Sequence, residues 1–314
     1  MNFKQQAIAA AAVLCSLCLF SGTRATAAET LRVMSFNIWR GGEAGKLPLD
    51  QTVKVIQASQ ADLVGIQESH GEERDGKRPD AARAIAEKLS WHHFDQGDED
   101  NSVISRYPIV AHSPKKMGVA VELPSGQRAW IFNVHLAHAP YQPYQLLKIP
   151  YADANFIEGA DQAVRAANRA RRHQVQSLLN EIENVRADDS PIFITGDFNE
   201  PSALDWTDTV WRAGGCPVSV RWPTTAAVLD AGFHDAYRTA RPDPLKWPGI
   251  TWTPTTAESD PKDRHDRIDL VFFGGPNVRV DKAEVVGERR ERADIVVSPY
   301  PSDHRAVVAT VIIE

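Results

Sequence analysis

The chain has 314 residues, of which 43% are hydrophobic and 24% charged, with a formal net charge of −6. That balance excludes a disordered or collagen-like chain and is enough to bury a sizeable core. An acidic chain also gains little non-specific affinity for nucleic acid, because that affinity comes from Lys and Arg neutralising phosphates.

In chain order, Lys4 precedes an apolar run from Ala7 to Phe20, and the small residues of Ala25-Thr26-Ala27-Ala28 follow. This reads as a secretory signal peptide over 1–27, leaving one mature catalytic domain over 28–314 of a secreted or periplasmic bacterial protein. The run is short for a bilayer span, so no transmembrane segment is expected in the mature chain. Cleavage removes Lys4 and Arg24 but no acid, which moves the net charge to about −8. It also leaves Cys216 as the single cysteine, so no intramolecular disulfide can form.

The mature chain reads as a strand over Leu31–Trp39, a helix over Leu49–Ser59, a buried strand over Ala61–Gln67 and a helix over Pro79–Leu89 with Asp80 near its start. Short strands are expected at Ser102–Ser105, Gly118–Glu122 and Ala129–Leu136. His138–Ile157 carries Tyr141, Tyr144, Tyr151 and Phe156 with no clear period. A helix over Ala160–Asn184, a strand over Ile192–Gly196 and a helix over Ser202–Ala213 come next. Strands at Arg267–Phe273, Val278–Val286 and Arg305–Ile313 close the chain. Helices between strands in the first two thirds point to an α/β sandwich.

Several strands end in groups suited to metal or phosphate chemistry. They deliver Asn37, Glu68, His135, the pair Asp197 and Asn199, Asp269, and Asp303-His304. Asn37 alone could be a turn residue, and His135 alone a hydrogen-bonded core histidine. Asp269 is harder to dismiss, since an unpaired acid in an apolar strand costs several kcal/mol. Together the set suits phosphoester hydrolysis. Mg²⁺, or Mn²⁺ or Ca²⁺ in its place, takes a few oxygen ligands, for which Glu68, Asn37 and Asp303 serve. Asp197 can activate water, Asn199 can donate to a phosphate oxygen, and His135 and His304 can oppose developing charge. Asp269 can orient His304 and raise its pKa.

Thr195-Gly196-Asp197-Phe198-Asn199 and Ser302-Asp303-His304, with the other strand ends in this order, resemble the endonuclease/exonuclease/phosphatase superfamily. It includes pancreatic deoxyribonuclease, abasic-site endonucleases, bacterial sphingomyelinases and inositol polyphosphate 5-phosphatases. Ser105-Arg106-Tyr107-Pro108-Ile109 looks like a further strand of that family. The resemblance implies a four-layer α/β sandwich with two central, mostly antiparallel β-sheets flanked by helices. It implies Asn37, Glu68 and Asp303 at the metal, His135, Asp197 and Asn199 around phosphate and water, and Asp269 paired with His304. A further acid supporting His135 would come from Asp98-Glu99-Asp100, among which the sequence does not choose.

The stretch between His135 and Asp197 is longer than nuclease members usually carry, which makes the segment 138–157 a lid, a binding element or a surface excursion. Arg165, Arg169, Arg171 and Arg172 could meet phosphate or form a solvated face. Trp247 and Trp252 could stack on bases, hold a choline-like cation or fill the core. The expected function is therefore a secreted metal-dependent hydrolase of a small, lipid or sugar phosphate. A non-specific extracellular endonuclease and a non-catalytic binder are the alternatives, and the oligomeric state stays open.

Overall fold

The computed structural model of the chain describes residues 28–186 and 189–314; the expected signal peptide, 1–27, lies outside the described residues. The first half runs β1 (Glu29–Asn37), α1 (Leu49–Ser59), β2 (Leu63–Gln67), α2 (Ala81–Leu89), β3 (His92–Asp95), β4 (Asn101–Ser105), β5 (Ile109–His112), β6 (Gly118–Glu122) and β7 (Arg128–His135). There follow α3 (Gln142–Leu147), α4 (Gly159–Glu183), β8 (Ile192–Asp197), α5 (Asp208–Arg212), α6 (Pro223–Asp230), β9 (His234–Asp235) and α7 (Ala236–Ala240). The chain closes with β10 (Asp269–Gly274), β11 (Val278–Gly287), β12 (Ile295–Val296) and β13 (Ala306–Ile313).

The strands form a seven-stranded sheet, β12-β11-β13-β1-β2-β4-β3, and a six-stranded sheet, β5-β6-β7-β8-β10-β9. Most neighbours are antiparallel; β1 with β2, β7 with β8 and β11 with β12 are parallel. Side chains alternate across a strand, so each strand serves two layers. Leu31, Val33, Ile131, Phe193, Val271 and Val307 meet between the sheets. Met34, Phe36, Val64 and Ile66 face outward against Val53, Ile56 and Ile85 of α1 and α2. Phe132, Ile194 and Phe272 face outward against Val175 and Leu178 of α4 and Val228 of α6. The result is the expected four-layer sandwich.

The inner face changes character along the strands. On β1 it runs Leu31, Val33, Ser35, Asn37; on β7 Ile131, Asn133, His135; on β8 Phe193, Thr195, Asp197. The buried polar band beneath the site centres on Asn133. Its Oδ1 accepts from Gln67 Nε2 at 2.6 Å and Thr195 Oγ1 at 3.1 Å, while its Nδ2 donates to Ile66 O at 2.9 Å and Ser102 O at 3.1 Å. These bonds stitch one sheet to the other. Gly65 permits the close approach, since a Cβ there would lie 1.9 Å from Thr195 Oγ1 and 2.5 Å from Asn133 Oδ1.

Two expectations are corrected. The helix expected over Ser202–Ala213 shrinks to α5. Ser202 Oγ is committed to Asp235 Oδ2 at 2.8 Å, and Asp205 binds the buried Arg238 and Arg267, so tertiary pairing outweighs local helix propensity. The run Ser105–Ile109 is not one strand but the turn that carries the chain from β4 in one sheet to β5 in the other, held by Tyr107 N donating to Ser105 Oγ at 2.9 Å.

Asn133→Ala should lower unfolding free energy by about 2–3 kcal/mol, because several buried partners lose their hydrogen bonds together. Urea denaturation measures this, and a change within error would mean that the band is not structural.

Candidate active site

All eight sequence-selected residues gather at one edge of the sandwich, for a topological reason. The parallel pairs β1–β2 and β7–β8 bring four C-terminal ends there. Strands β10 and β13 run antiparallel to β8 and β1, so they contribute their N-terminal ends. Asn37, His135 and Asp197 end their strands, Asp269 begins one, and Glu68, Asn199, Asp303 and His304 lie just beyond strand ends.

Asp197 is the hub. Its Oδ2 accepts from Asn37 Nδ2 at 3.1 Å and lies 3.5 Å from His135 Nε2 and 3.6 Å from His304 Nε2. Its Oδ1 accepts from Asn199 N at 2.9 Å, and Asn199 takes a positive φ of 46° in making that turn. Asn199 Nδ2 spends one hydrogen on Leu136 O at 3.0 Å and leaves the other to the cleft it lines.

Each imidazole is held from behind by a carboxylate. His304 Nδ1 lies 2.9 Å from Asp269 Oδ2, and His135 Nδ1 lies 2.8 Å from Asp100 Oδ2. Asp98 instead caps its own loop by accepting from Asn101 N at 2.8 Å, so Asp100 is the member of the acidic run that reaches the histidine. Burial disfavours both imidazolium cations, but the carboxylates outweigh it. Asp100 and Asp197 push His135 up to about 9, and Asp269 and Asp197 push His304 up to about 10.

Glu68 Oε1 accepts from Asn37 Nδ2 at 3.2 Å and its Oε2 accepts from Arg40 N at 2.8 Å. Asp303 lines the same cleft, and its Oδ1 is buried without a hydrogen-bond partner among the described residues. Burial, with Glu68 nearby, pushes its carboxyl up to about 6. A buried acid with one oxygen left unbonded, beside a second acid, fits a divalent cation. Asn37 Oδ1 accepts from Trp39 N at 3.0 Å, so the amide aligns Glu68 and Asp197 through its NH₂. Asp197, Asp269 and His304 also bring ligand atoms within 4.8 Å of one another. There the imidazole already stands between the two acids, which makes Glu68 and Asp303 the better-suited pair.

The cleft encloses about 460 Å³ and has an aromatic wall that the strand-end pattern did not reveal: Trp39, Tyr141, Tyr144, Tyr151 and Trp252. Three of these come from the segment 138–157. The Tyr141 and Tyr144 rings meet edge-on at 4.9 Å, and Tyr144 and Tyr151 at 5.5 Å. Trp252 lies 4.8 Å from the His304 ring and donates from Nε1 to Tyr144 Oη at 3.2 Å. Arg171 faces inward rather than to phosphate. Fully buried, it donates to Ala137 O at 2.8 Å and Gln142 Oε1 at 2.6 Å and pins the start of the segment. Arg165, Arg169 and Arg172 lie outside the cleft, and Trp247 sits apart beneath Arg241, 4.6 Å from its ring centre.

The His135–Asp100 pair makes a pH prediction. A raised histidine pKa means that the pair's stabilisation is fully present below about 6.5 and lost as pH rises through about 9. In metal-free protein the His135 imidazole resonance should titrate near pH 9, and Asp100→Asn should move that midpoint toward 6.5. A midpoint that ignores the substitution would remove Asp100 from this role.

Residues 34–304 match the Endonuclease/Exonuclease/phosphatase family. A Caenorhabditis elegans relative, uncharacterized protein F14F9.5, is 29% identical over 312 residues, spanning 93% of this chain and 94% of its own. The crystal structure of an endonuclease/exonuclease/phosphatase from Beutenbergia cavernae shares the fold with a TM-score of 0.57 at 20% identity, over 90% of this chain and 72% of that one. Truncated Caenorhabditis elegans TDP2 gives a TM-score of 0.53 at 18% identity, over 91% and 98%. Members of this family are generally divalent-metal-dependent phosphoester hydrolases. With a match across most of its length and the same sandwich beneath its acid and histidine cluster, the chain belongs to the endonuclease/exonuclease/phosphatase family.

Proposed function

We propose that this protein is a secreted hydrolase of small organic phosphate esters. One observation carries the choice of substrate: the aromatic wall from 138–157 stands over the acid and histidine cluster and encloses a cleft of about 460 Å³. That volume suits a small-molecule ligand bearing an apolar or planar group. The net charge of −6 disfavours non-specific nucleic acid binding, and every principal catalytic position holds a competent residue, which disfavours a pure binder. Secretion, a bacterial source and a single mature domain over 28–314 rest on the leader-like sequence and the unbroken motif order; intact-mass analysis of exported protein beginning after Ala27 tests the first.

In this reading Glu68 and Asp303, with Asn37 beside them, hold Mg²⁺, Mn²⁺ or Ca²⁺, which when bound supplies positive charge to phosphate oxygens. Asp197 accepts the proton of the attacking water, as a buried carboxylate aligned by Asn37 and the Asn199 backbone. His135 and His304 present imidazolium N–H groups toward the phosphate, their outer nitrogens fixed by Asp100 and Asp269. One of them gives its proton to the departing ester oxygen as the P–O bond breaks. The free amide hydrogen of Asn199 donates to a phosphate oxygen. The tyrosine wall excludes water and receives the organic part of the ester.

Purified protein should hydrolyse small phosphomonoesters or phosphodiesters with a divalent metal and stop with EDTA. Asp197→Asn or His304→Ala should slow kcat by roughly 10²–10⁴-fold. Silence across a broad phosphoester panel with all three metals would overturn the assignment. Tyr151 is 38% exposed and lines the cleft, so Tyr151→Ala should raise KM about tenfold and spare kcat. Unchanged KM for small esters, with salt-sensitive plasmid cleavage instead, would favour a nuclease.

A further inference from the structure

A second cluster of metal-binding side chains lies away from the cleft, where the loop after β2, the start of α2 and the edge strand β3 meet. His70, Asp80 and Asp95 bring one ligand atom each within 4.8 Å of one another. His93 adjoins the group through Asp80, its Nε2 3.3 Å from Asp80 Oδ2. Those two atoms are buried, yet neither has a hydrogen-bond partner among the described residues, and the His93 side chain is only 9% exposed.

Asp80, Asp95 and His70 each spend one atom on positioning and keep the other for the cluster. Asp80 Oδ1 accepts from Arg83 N at 2.9 Å as the cap of α2, which leaves Oδ2. Asp95 Oδ1 accepts from Gly97 N at 2.8 Å, and its Oδ2 lies 4.0 Å from His70 Nε2. His70 Nδ1 lies 3.0 Å from Ser69 Oγ, so the ring is held from behind with Nε2 facing inward. Metal-ligating histidines are typically supported this way. Arg83, 3.4 Å from Asp80 Oδ2, is the one cation beside the cluster among these contacts, and its side chain is 60% exposed and able to swing away.

We propose that His70, Asp80, His93 and Asp95 form a second metal site, for a Zn²⁺-class divalent transition ion. Two imidazoles and two carboxylates are a donor set for such ions rather than for Mg²⁺. Tetrahedral ligands with bonds of roughly 2.0–2.1 Å stand about 3.3 Å apart; His93 and Asp80 already have that spacing, and His70 and Asp95, 4.0 Å apart, close inward on the ion. The ion's role is structural. It ties β3 to the loop in which Ser69 N donates to Asp100 O at 2.8 Å, and Asp100 holds His135.

Co²⁺ serves as the spectroscopic probe on the full chain, with bound metal counted after gel filtration. Wild type should bind one ion more than Asp95→Asn or His70→Gln, and Glu68→Gln should keep the visible absorption of histidine-bound Co²⁺. Zn²⁺ at a hundredfold excess over Kd should raise Tm by about 5 °C in Glu68→Gln and leave the Glu68→Gln/Asp95→Asn double variant unmoved. Asparagine at 95 retains an acceptor for Gly97 N, so its circular dichroism should match wild type and keep the test valid if His70→Gln misfolds. Equal Co²⁺ stoichiometry and spectrum in wild type and Asp95→Asn would overturn the proposal.

Discussion

Alternation along the strands is the constraint on which the rest of the molecule depends. A side chain's parity decides whether it faces the helices or the opposite sheet, and on β1, β7 and β8 the inward parity turns from apolar to polar part-way along. Groups buried there must satisfy one another. Asn133 does this across both sheets, and Gly65 leaves the room it needs. The same parity that buries Val33 and Ile131 therefore delivers His135 into the cleft and Asn37 beneath it, against Glu68 and Asp197.

The electrostatics of the site follow from that delivery. Three carboxylates and two imidazoles converge, and the histidines stay cationic because Asp100, Asp197 and Asp269 outweigh the cost of burying them. Glu68 and Asp303 line the same cleft, and among the described residues Asp303 Oδ1 has no hydrogen-bond partner. Each imidazole is thus flanked by carboxylates on both sides, while Asp303 keeps one oxygen unbonded.

The aromatic segment shows how tertiary packing redirects residues with an evident surface chemistry. Arg171 sits on a long helix among other arginines, yet it is sequestered, donating to backbone carbonyls at Ala137 and Pro140 and standing 3.6 Å from buried Glu200. It anchors the entry to a segment whose tyrosines then bond to Asp263 and Asp266. The wall of the cleft rests on hydrogen bonds to a buried arginine and to two distant carboxylates rather than on sequence-local structure.

The sequence by itself determined the sandwich and picked out the eight strand-end residues that the fold brings to one edge. Strand periodicity is local, and a polar group interrupting an apolar strand is costly enough to be informative, as at Asp269 and His135. Helices α1 and α4 and strands β6 and β13 were likewise legible within a residue or so. Only the tertiary structure decided that Asp100 rather than Asp98 or Glu99 supports His135, that residues 202–207 stay non-helical, and that three tyrosines line the cleft. It alone brought His70, Asp80, His93 and Asp95 together. Each of these depends on which distant segments meet, and a contact between an edge strand, a loop and a helix cap leaves no period in the chain from which to read it.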